Sequence, residues 1–162
     1  MADQRLWAPW RMRYVQGERG DVDCIFCLAA EPGDDAARHV LHRSAHCFAM
    51  LNAFPYNSGH LMVSPVRHVA SLADLDDDAS LELMRLVQHA LGALRTAYGP
   101  DGFNIGVNEG EVAGAGFAGH VHLHVVPRWA ADSNFMAVTA DTRVLPQSLE
   151  DSYATLRERF AE

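Results

Sequence analysis

Apolar residues at helical spacing mark one segment of the chain more clearly than any other. The residues of this stripe are Leu83, Val87, Leu91 and Leu94. Residues 74–78 place several aspartates just before the stripe, where acidic side chains favour a helix N-terminus. The pair at 99–100, Gly-Pro, stops a helix because neither residue continues one. The pattern therefore predicts one long amphipathic helix that ends near Gly99.

Shorter segments of alternating apolar and polar residues predict strands. Residues 39–51 alternate loosely, as one half-buried strand would, and residues 60–64 resume the pattern until Pro65 ends it. Turn-forming residues at 52–59 join the two segments into an antiparallel hairpin. Further predicted elements are strands at residues 103–108 and 119–127 and an amphipathic helix near residues 147–160. This order of elements predicts an α+β fold with an antiparallel sheet.

Composition narrows the class of protein. The chain has 162 residues, of which 49% are hydrophobic, as expected for a single domain with a sizeable core. No apolar run approaches the ~20 residues of a membrane span, and the N-terminus lacks the features of a secretory signal. We therefore expect a cytoplasmic protein. A net charge of −8 argues against binding to a nucleic-acid polymer, although it leaves room for a small anionic substrate.

Three histidines alternate with apolar residues in the last predicted strand. Because strand side chains alternate between faces, His120, His122 and His124 project to one side of the sheet. A solvent-facing polar stripe is the plain alternative, but a chance match at this spacing has a probability on the order of 10⁻⁴ per position. Residues 109–119 are rich in glycine and can bring backbone amides close to an anion. Neutral imidazole is a nucleophile toward phosphorus, and protonated imidazole donates hydrogen bonds to phosphate oxygens.

Cys24 and Cys27 form a CxxC pair, which supplies two of the four ligands of a structural zinc site. Two small buried residues in a turn remain the alternative. A redox role is less favoured because no thioredoxin-like βαβ pattern surrounds the pair. The third cysteine, Cys47, lies in a predicted strand and is expected only to pack; an odd count argues against a disulfide framework.

With its three histidines and the two apolar residues that follow, the segment His120 to Val126 resembles the motif of the histidine-triad family. The resemblance covers about residues 24–128, including Asn52, residues 59–63 and Asn108 before the glycine-rich loop. The flanks at residues 6–11, 127–129 and 134–136 resemble a bacterial branch similar to diadenosine tetraphosphate phosphorylase. The resemblance implies a five-stranded antiparallel sheet with one long helix and a C-terminal helix, extended by homodimerisation.

The resemblance also implies roles for individual residues. His122 would be the nucleophile, His124 would contact phosphate oxygens, and His120 would complete the catalytic motif. The expected substrate contacts are Asn108, Gly116 and Phe117 at the α-phosphate, Asn52 at the ribose, and Ile25, Phe26 and Met50 at the base. Arg128 is a candidate contact to a distal phosphate and Trp129 to a second base; solvation and dimer packing explain these two residues equally well. His68 and His120 would complete a structural zinc site with Cys24 and Cys27.

One departure affects the expected chemistry. Many members carry a hydroxyl or amide side chain just before the histidines, where this chain has Ala-Gly-Phe at 115–117.

We expect a nucleotidyl transferase or hydrolase that cleaves a nucleoside polyphosphate at its α-phosphate through a nucleotidyl-histidine. A purine nucleoside phosphoramidate hydrolase, a non-catalytic nucleotide-binding module and a metal-storage role for the nine histidines are the alternatives. His60 is expected to be a packed or hydrogen-bonded core histidine rather than a catalyst.

Overall fold

A computed structural model describes residues 24–130, 132 and 145–161. The flanking motifs at residues 6–11 and 134–136 lie outside these ranges. Three α-helices occur among the described residues: α1 (Ile25–Ala30), α2 (Asp77–Tyr98) and α3 (Leu149–Arg159). The strands are β1 (Val40–Arg43), β2 (Cys47–Leu51), β3 (Leu61–Pro65), β4 (Gly102–Val107) and β5 (Leu123–Arg128). No helix in the described part of the chain is long and apolar enough to cross a membrane.

The strands form one antiparallel sheet in the order β1-β2-β3-β5-β4, which confirms the predicted α+β fold. One face of the sheet packs against α2 and α3 through aliphatic residues such as Leu83, Leu94 and Leu156. The other face packs against α1, whose Phe26 contacts Phe48 and other buried residues of the second apolar cluster. The three histidines lie on this second face, so the sheet separates the main core from the candidate site.

Helix α2 confirms the prediction from the apolar stripe. Asp76 caps its N-terminus by accepting a hydrogen bond from the Ala79 amide at 2.9 Å. Gly99 ends it with φ of 54°, a left-handed conformation that glycine adopts without steric cost. The predicted C-terminal helix is also present, as α3, and begins after the Ser148 cap.

The prediction of one strand over residues 39–51 was wrong, because the chain turns at residues 44–46 and forms two paired strands, β1 and β2. The turn is held from a distance by Glu82 of α2. Its carboxylate accepts hydrogen bonds from Ser44 Oγ at 2.6 Å and from the amides of His46 and Cys47 at 2.6 and 2.9 Å. Local sequence patterns do not contain this contact, which explains why the turn was missed.

The last strand also differs from its prediction over residues 119–127, since β5 begins only at Leu123. The Val121 amide donates to the Val69 carbonyl at 2.7 Å, and the Val121 carbonyl accepts from Ser64 Oγ at 2.9 Å. These two hydrogen bonds pair the amide and the carbonyl of Val121 with groups other than the backbone of a neighbouring strand. His120 and His122 therefore lie before the strand, and His124 lies within it.

Candidate active site

His122 is placed between the glycine-rich loop and β5 and is only 4% exposed. Its ring stacks on Phe26 of α1, with centroids 4.4 Å apart. Its Nδ1 lies 2.9 Å from the His120 carbonyl oxygen, and because a carbonyl only accepts, Nδ1 must carry the hydrogen. Burial lowers the pKa of His122 and favours the neutral ring. The remaining nitrogen, Nε2, then has an unprotonated lone pair.

His124 has the opposite tautomer, set by His60. The Tyr56 amide donates to His60 Nδ1 at 3.1 Å, so the hydrogen of neutral His60 is on Nε2. That Nε2 lies 3.0 Å from His124 Nδ1 and donates to it. His124 Nδ1 is therefore an acceptor, and a neutral His124 carries its hydrogen on Nε2. Two neighbouring imidazoles thus offer different atoms, a lone pair on His122 and an N–H on His124.

His60 is fully buried, with 0% exposure, and hydrogen-bonded, as expected of a core histidine. Burial, followed by the nearby His124 and His122, lowers its pKa to about 3 and holds it neutral. Sequence reasoning missed its contact with His124. No sequence pattern gave this contact, because it follows from the pairing of Met62 with His124, which places His60 diagonally across from His124.

A cavity between α1, the glycine-rich loop and the sheet brings many of the predicted substrate residues together. We call it the Phe26 cavity. The predicted residues that line it are Ile25, Phe26, Met50, Asn52, Gly116, His122 and His124. Ala53, Phe54, Tyr56, Met62 and Gly114 also line it and were not predicted. Mostly apolar walls with a few polar groups are typical of a pocket for a small molecule.

The other predicted substrate residues lie elsewhere. Phe117 packs edge-on against Phe26 with centroids 5.8 Å apart. Asn108 and Arg128 line a second depression beside the first, the β4–β5 groove, together with Tyr56, Asn104, Ile105, Gly106, Val107, His124 and Val126. Trp129 lines neither cavity, and its indole N–H donates to the Tyr98 carbonyl at 3.4 Å.

The glycine-rich loop approaches the site through conformations that other residues rarely adopt. Gly110 and Gly114 have φ of 81° and 92° and bracket a short 3₁₀ turn, Glu111–Ala113. At Gly119 a Cβ would lie 3.4 Å from His68 Nε2, so the backbone there is in van der Waals reach of that ring. The loop thus brings its backbone to the Phe26 cavity at one end and to His68 at the other.

Cys24, Cys27, His68 and His120 form a compact group whose ligand atoms all lie within 4.8 Å of one another. The Cys27 sulfur lies 3.0 Å from His68 Nδ1, and the Cys24 sulfur lies 3.4 Å from His120 Nδ1. His120 Nε2 donates to the Pro65 carbonyl at 2.9 Å, which leaves Nδ1 as its ligand nitrogen. Two sulfurs and two nitrogens at this spacing match the donor set of a tetrahedral structural metal site.

Cys47 is not part of this group and is buried in β2, as expected. Burial, with a smaller contribution from the nearby carboxylates of Glu82 and Asp76, raises its pKa to about 12. A thiol held neutral in this way is a packing residue.

Comparison with known proteins gives the same family from sequence and from structure. The family model described as "HIT domain" matches residues 34–131. An AP-4-A phosphorylase from Mycobacterium tuberculosis is 40% identical over 98% of this chain and 85% of its own length. An adenosine 5′-monophosphoramidase from Schizosaccharomyces pombe is 31% identical over 66% of this chain and 75% of its own length.

Among solved structures, a zinc-bound histidine triad family protein from Mycobacterium smegmatis superposes with a TM-score of 0.67 and 27% identity. The match covers 88% of this chain and 96% of the other. The fold, the family model and the relative matched along nearly the whole chain agree, and this chain belongs to the histidine-triad (HIT) family.

Proposed function

We propose that the chain transfers a nucleotidyl group from a nucleoside polyphosphate, with His122 as the nucleophile. The observation that carries the proposal is the pair of opposite tautomers on adjacent imidazoles. His122 has a lone pair where the α-phosphate of a nucleotide in the Phe26 cavity would lie, and His124 has an N–H beside it. A nucleophile and a hydrogen-bond donor at one phosphorus atom are what covalent phosphoryl chemistry requires.

In the first step, His122 Nε2 attacks the α-phosphorus and forms a P–N bond. The bond from phosphorus to the bridging oxygen breaks, and the departing polyphosphate keeps the electron pair while His124 Nε2–H donates a hydrogen bond to it. The positive charge that develops on His122 is stabilised by the Nδ1–H bond to the His120 carbonyl. In the second step an acceptor oxygen attacks phosphorus, and the P–N electron pair returns to Nε2.

The nucleoside would occupy the Phe26 cavity. Ile25, Phe26 and Met50 offer apolar surface for the base, and the Asn52 amide, which lines the same cavity, would contact the ribose hydroxyls. Asn108 and the loop at Gly116 and Phe117 would hold phosphate oxygens. Because the loop at residues 109–119, just before the histidines, has no hydroxyl side chain, the loop backbone would have to hold the phosphate oxygens.

The physiological acceptor is proposed to be inorganic phosphate. The support is the similarity along 98% of this chain to a protein named AP-4-A phosphorylase. Attack by phosphate on the adenylyl-histidine would release ADP, whereas attack by water would release AMP. Similarity to an adenosine 5′-monophosphoramidase favours phosphoramidates as the second substrate class to assay.

Turnover of diadenosine tetraphosphate with and without inorganic phosphate tests this proposal. We expect ADP, and more than one equivalent of ATP per chain, to form only when phosphate is present. AMP formed regardless of phosphate would make water the acceptor and the protein a hydrolase. No turnover of this substrate, or of adenosine 5′-phosphoramidate, would contradict the proposed activity and favour a non-catalytic nucleotide-binding module.

We further propose that Cys24, Cys27, His68 and His120 hold one zinc ion. When bound, it would cross-link α1 to the segment before β5 and, with four protein ligands, would have no open position for substrate. The chain's own contribution is the Pro65 carbonyl, which accepts a hydrogen bond from His120 Nε2 and orients the His120 ring. The backbone carbonyl of His120 accepts from His122 Nδ1.

A homodimer through β4 is also proposed. β4 is an edge strand of the sheet, and its Ile105 is 48% exposed. Pairing of two such edges would continue the sheet from one protomer into the next. Light scattering on the wild type and on Ile105→Asp tests this: a dimer that the substitution converts to a monomer supports the proposal, and a monomeric wild type contradicts it.

A further inference from the structure

The register of β4 and β5 extends the face that carries the catalytic histidines. His124, Val126 and Arg128 alternate along β5 and share one face. Their partners on β4 are Gly106 opposite His124 and Asn104 opposite Val126. All of these residues line the β4–β5 groove. The groove therefore continues from the catalytic histidines toward the end of β5.

Gly106 keeps the floor of this groove open next to His124. A Cβ built on Gly106 meets no atom within 4 Å, so a side chain there would project into empty space. Its φ is not among the positive values in the described chain, so the backbone does not require glycine. The missing side chain thus leaves room directly beside the imidazole that would face the leaving group.

Arg128 is fixed at the far end of the groove with hydrogen-bonding capacity to spare. Its Nε and Nη2 donate to the Asp132 carboxylate at 2.5 and 2.9 Å, and its Nη1 donates to Asn104 Oδ1 at 2.7 Å. Asp132 is itself held by Asn57 at 2.9 Å. These bonds use three of the five guanidinium N–H groups. The side chain is 45% exposed, which leaves the remaining donors reachable by an anion.

The geometry of displacement directs a leaving group into this groove. The leaving oxygen in an in-line displacement departs opposite the attacking atom. His122 lines only the Phe26 cavity, while His124 and Tyr56 line both the cavity and the groove. A phosphorus atom attacked by His122 would therefore release its leaving group on the His124 side. From His124 to Arg128 the strand spans about 13 Å, a length that suits a chain of phosphates rather than one.

We propose that the β4–β5 groove is the subsite for the departing polyphosphate, with Arg128 as its anion-binding residue and Gly106 as its open floor. The proposal rests on the nucleotidyl transfer proposed above and adds what selects the substrate: negative charge beyond the scissile bond. The alternative is that Arg128 only clamps Asp132 and the loop of Asn57. A clamp would affect all substrates alike, whereas a subsite would affect only those with a charged leaving chain.

Two substrates with the same adenylyl group separate these cases. Diadenosine tetraphosphate has a polyphosphate leaving group, and adenosine 5′-(p-nitrophenyl phosphate) has one without phosphate. For Arg128→Gln we expect kcat/KM to fall roughly 10- to 100-fold on the tetraphosphate, as for loss of a charged hydrogen bond, and less than about threefold on the nitrophenyl ester. Equal losses on both substrates, or no loss on either, would overturn the proposal.

Gly106→Val is the second variant, because it fills the groove while leaving the Arg128–Asp132 pair in place. It should lower kcat/KM on the tetraphosphate, with Tm close to that of the wild type, and it keeps the test valid should Arg128→Gln fold poorly. Equal activity of Gly106→Val and wild type on the tetraphosphate would overturn the open-floor assignment. A wild type that turns over neither substrate would refute the nucleotidyl transfer itself, and the subsite with it. An active wild type with an unselective Arg128→Gln variant would refute the subsite alone.

Discussion

Replacing His60 should change how the stability of the protein depends on pH. His60 is neutral in the folded chain, since burial and its neighbours lower its pKa from 6.5 to about 3. In the unfolded chain the same group takes up a proton as the pH falls below about 6.5. The unfolded state is then favoured, so this contribution to stability is fully present above pH 6.5 and declines as the pH falls toward 3.

The size of the effect follows from the separation of the two pKa values. Each pH unit below 6.5 removes about 1.4 kcal/mol from the free energy of unfolding, so roughly 2 kcal/mol is lost between pH 7.5 and 5.0. His60→Gln removes the titrating group. The variant is expected to be less stable at pH 7.5, because the Tyr56 amide loses its acceptor. Between pH 7.5 and 5.0, however, it should lose about 2 kcal/mol less than the wild type.

Urea unfolding followed by circular dichroism at several pH values measures this difference. Other buried histidines contribute to the pH dependence of both proteins, so the comparison between them isolates His60. Val63→Ala is a matched control, because Val63 is fully buried in β3, three residues after His60, and its truncation destabilises without removing a titratable group. The control should parallel the wild type. A His60→Gln variant that also parallels the wild type would refute the neutral, buried His60 on which the tautomer of His124 depends.

Three further predictions concern the metal site, the nucleoside cavity and the core. Elemental analysis should find one zinc per wild-type chain and less in Cys27→Ser, with a lower Tm for the variant by calorimetry; several metals per chain would favour metal storage instead. Asn52→Ala should raise KM for the nucleotide about 2- to 10-fold in steady-state assays, as for loss of a neutral hydrogen bond to ribose, and an unchanged KM would contradict that contact. Leu156→Ala should lower the free energy of unfolding in urea by about 2–5 kcal/mol, since Leu156 of α3 is fully buried in the main core; a loss below 1 kcal/mol would contradict the docking of α3.

Elements with a repeating local pattern were predictable from the sequence, and elements fixed by distant contacts were not. The apolar residues at helical spacing in α2, together with the Gly99 that ends it, suffice to define a helix of 22 residues. Helix α1 has only six residues, too few to be stable alone, and it forms because Phe26 and Ala29 are buried against the sheet. The turn between β1 and β2 depends on Glu82, more than thirty residues away.

In the candidate site, too, local patterns were predictable from the sequence and contacts between distant residues were not. The spacing of the three histidines and of the cysteine pair indicated two clusters, and the structure brings Cys24, Cys27, His68 and His120 together. Hydrogen bonds between histidine rings and backbone groups decide which ring nitrogen carries the hydrogen, and these bonds have no sequence pattern. The separation of Arg128 from the Phe26 cavity likewise follows from strand pairing that only the fold specifies.

Identification of the labelled residue after reaction with substrate tests the central claim most directly. The protein would be mixed with diadenosine tetraphosphate in the absence of inorganic phosphate and quenched in alkali, which preserves P–N bonds. Mass spectrometry of the intact chain and its peptides would follow. We predict one added adenylyl group, located on His122 and absent from His122→Gln. Adenylylation of another residue, or full turnover by His122→Gln, would contradict the account.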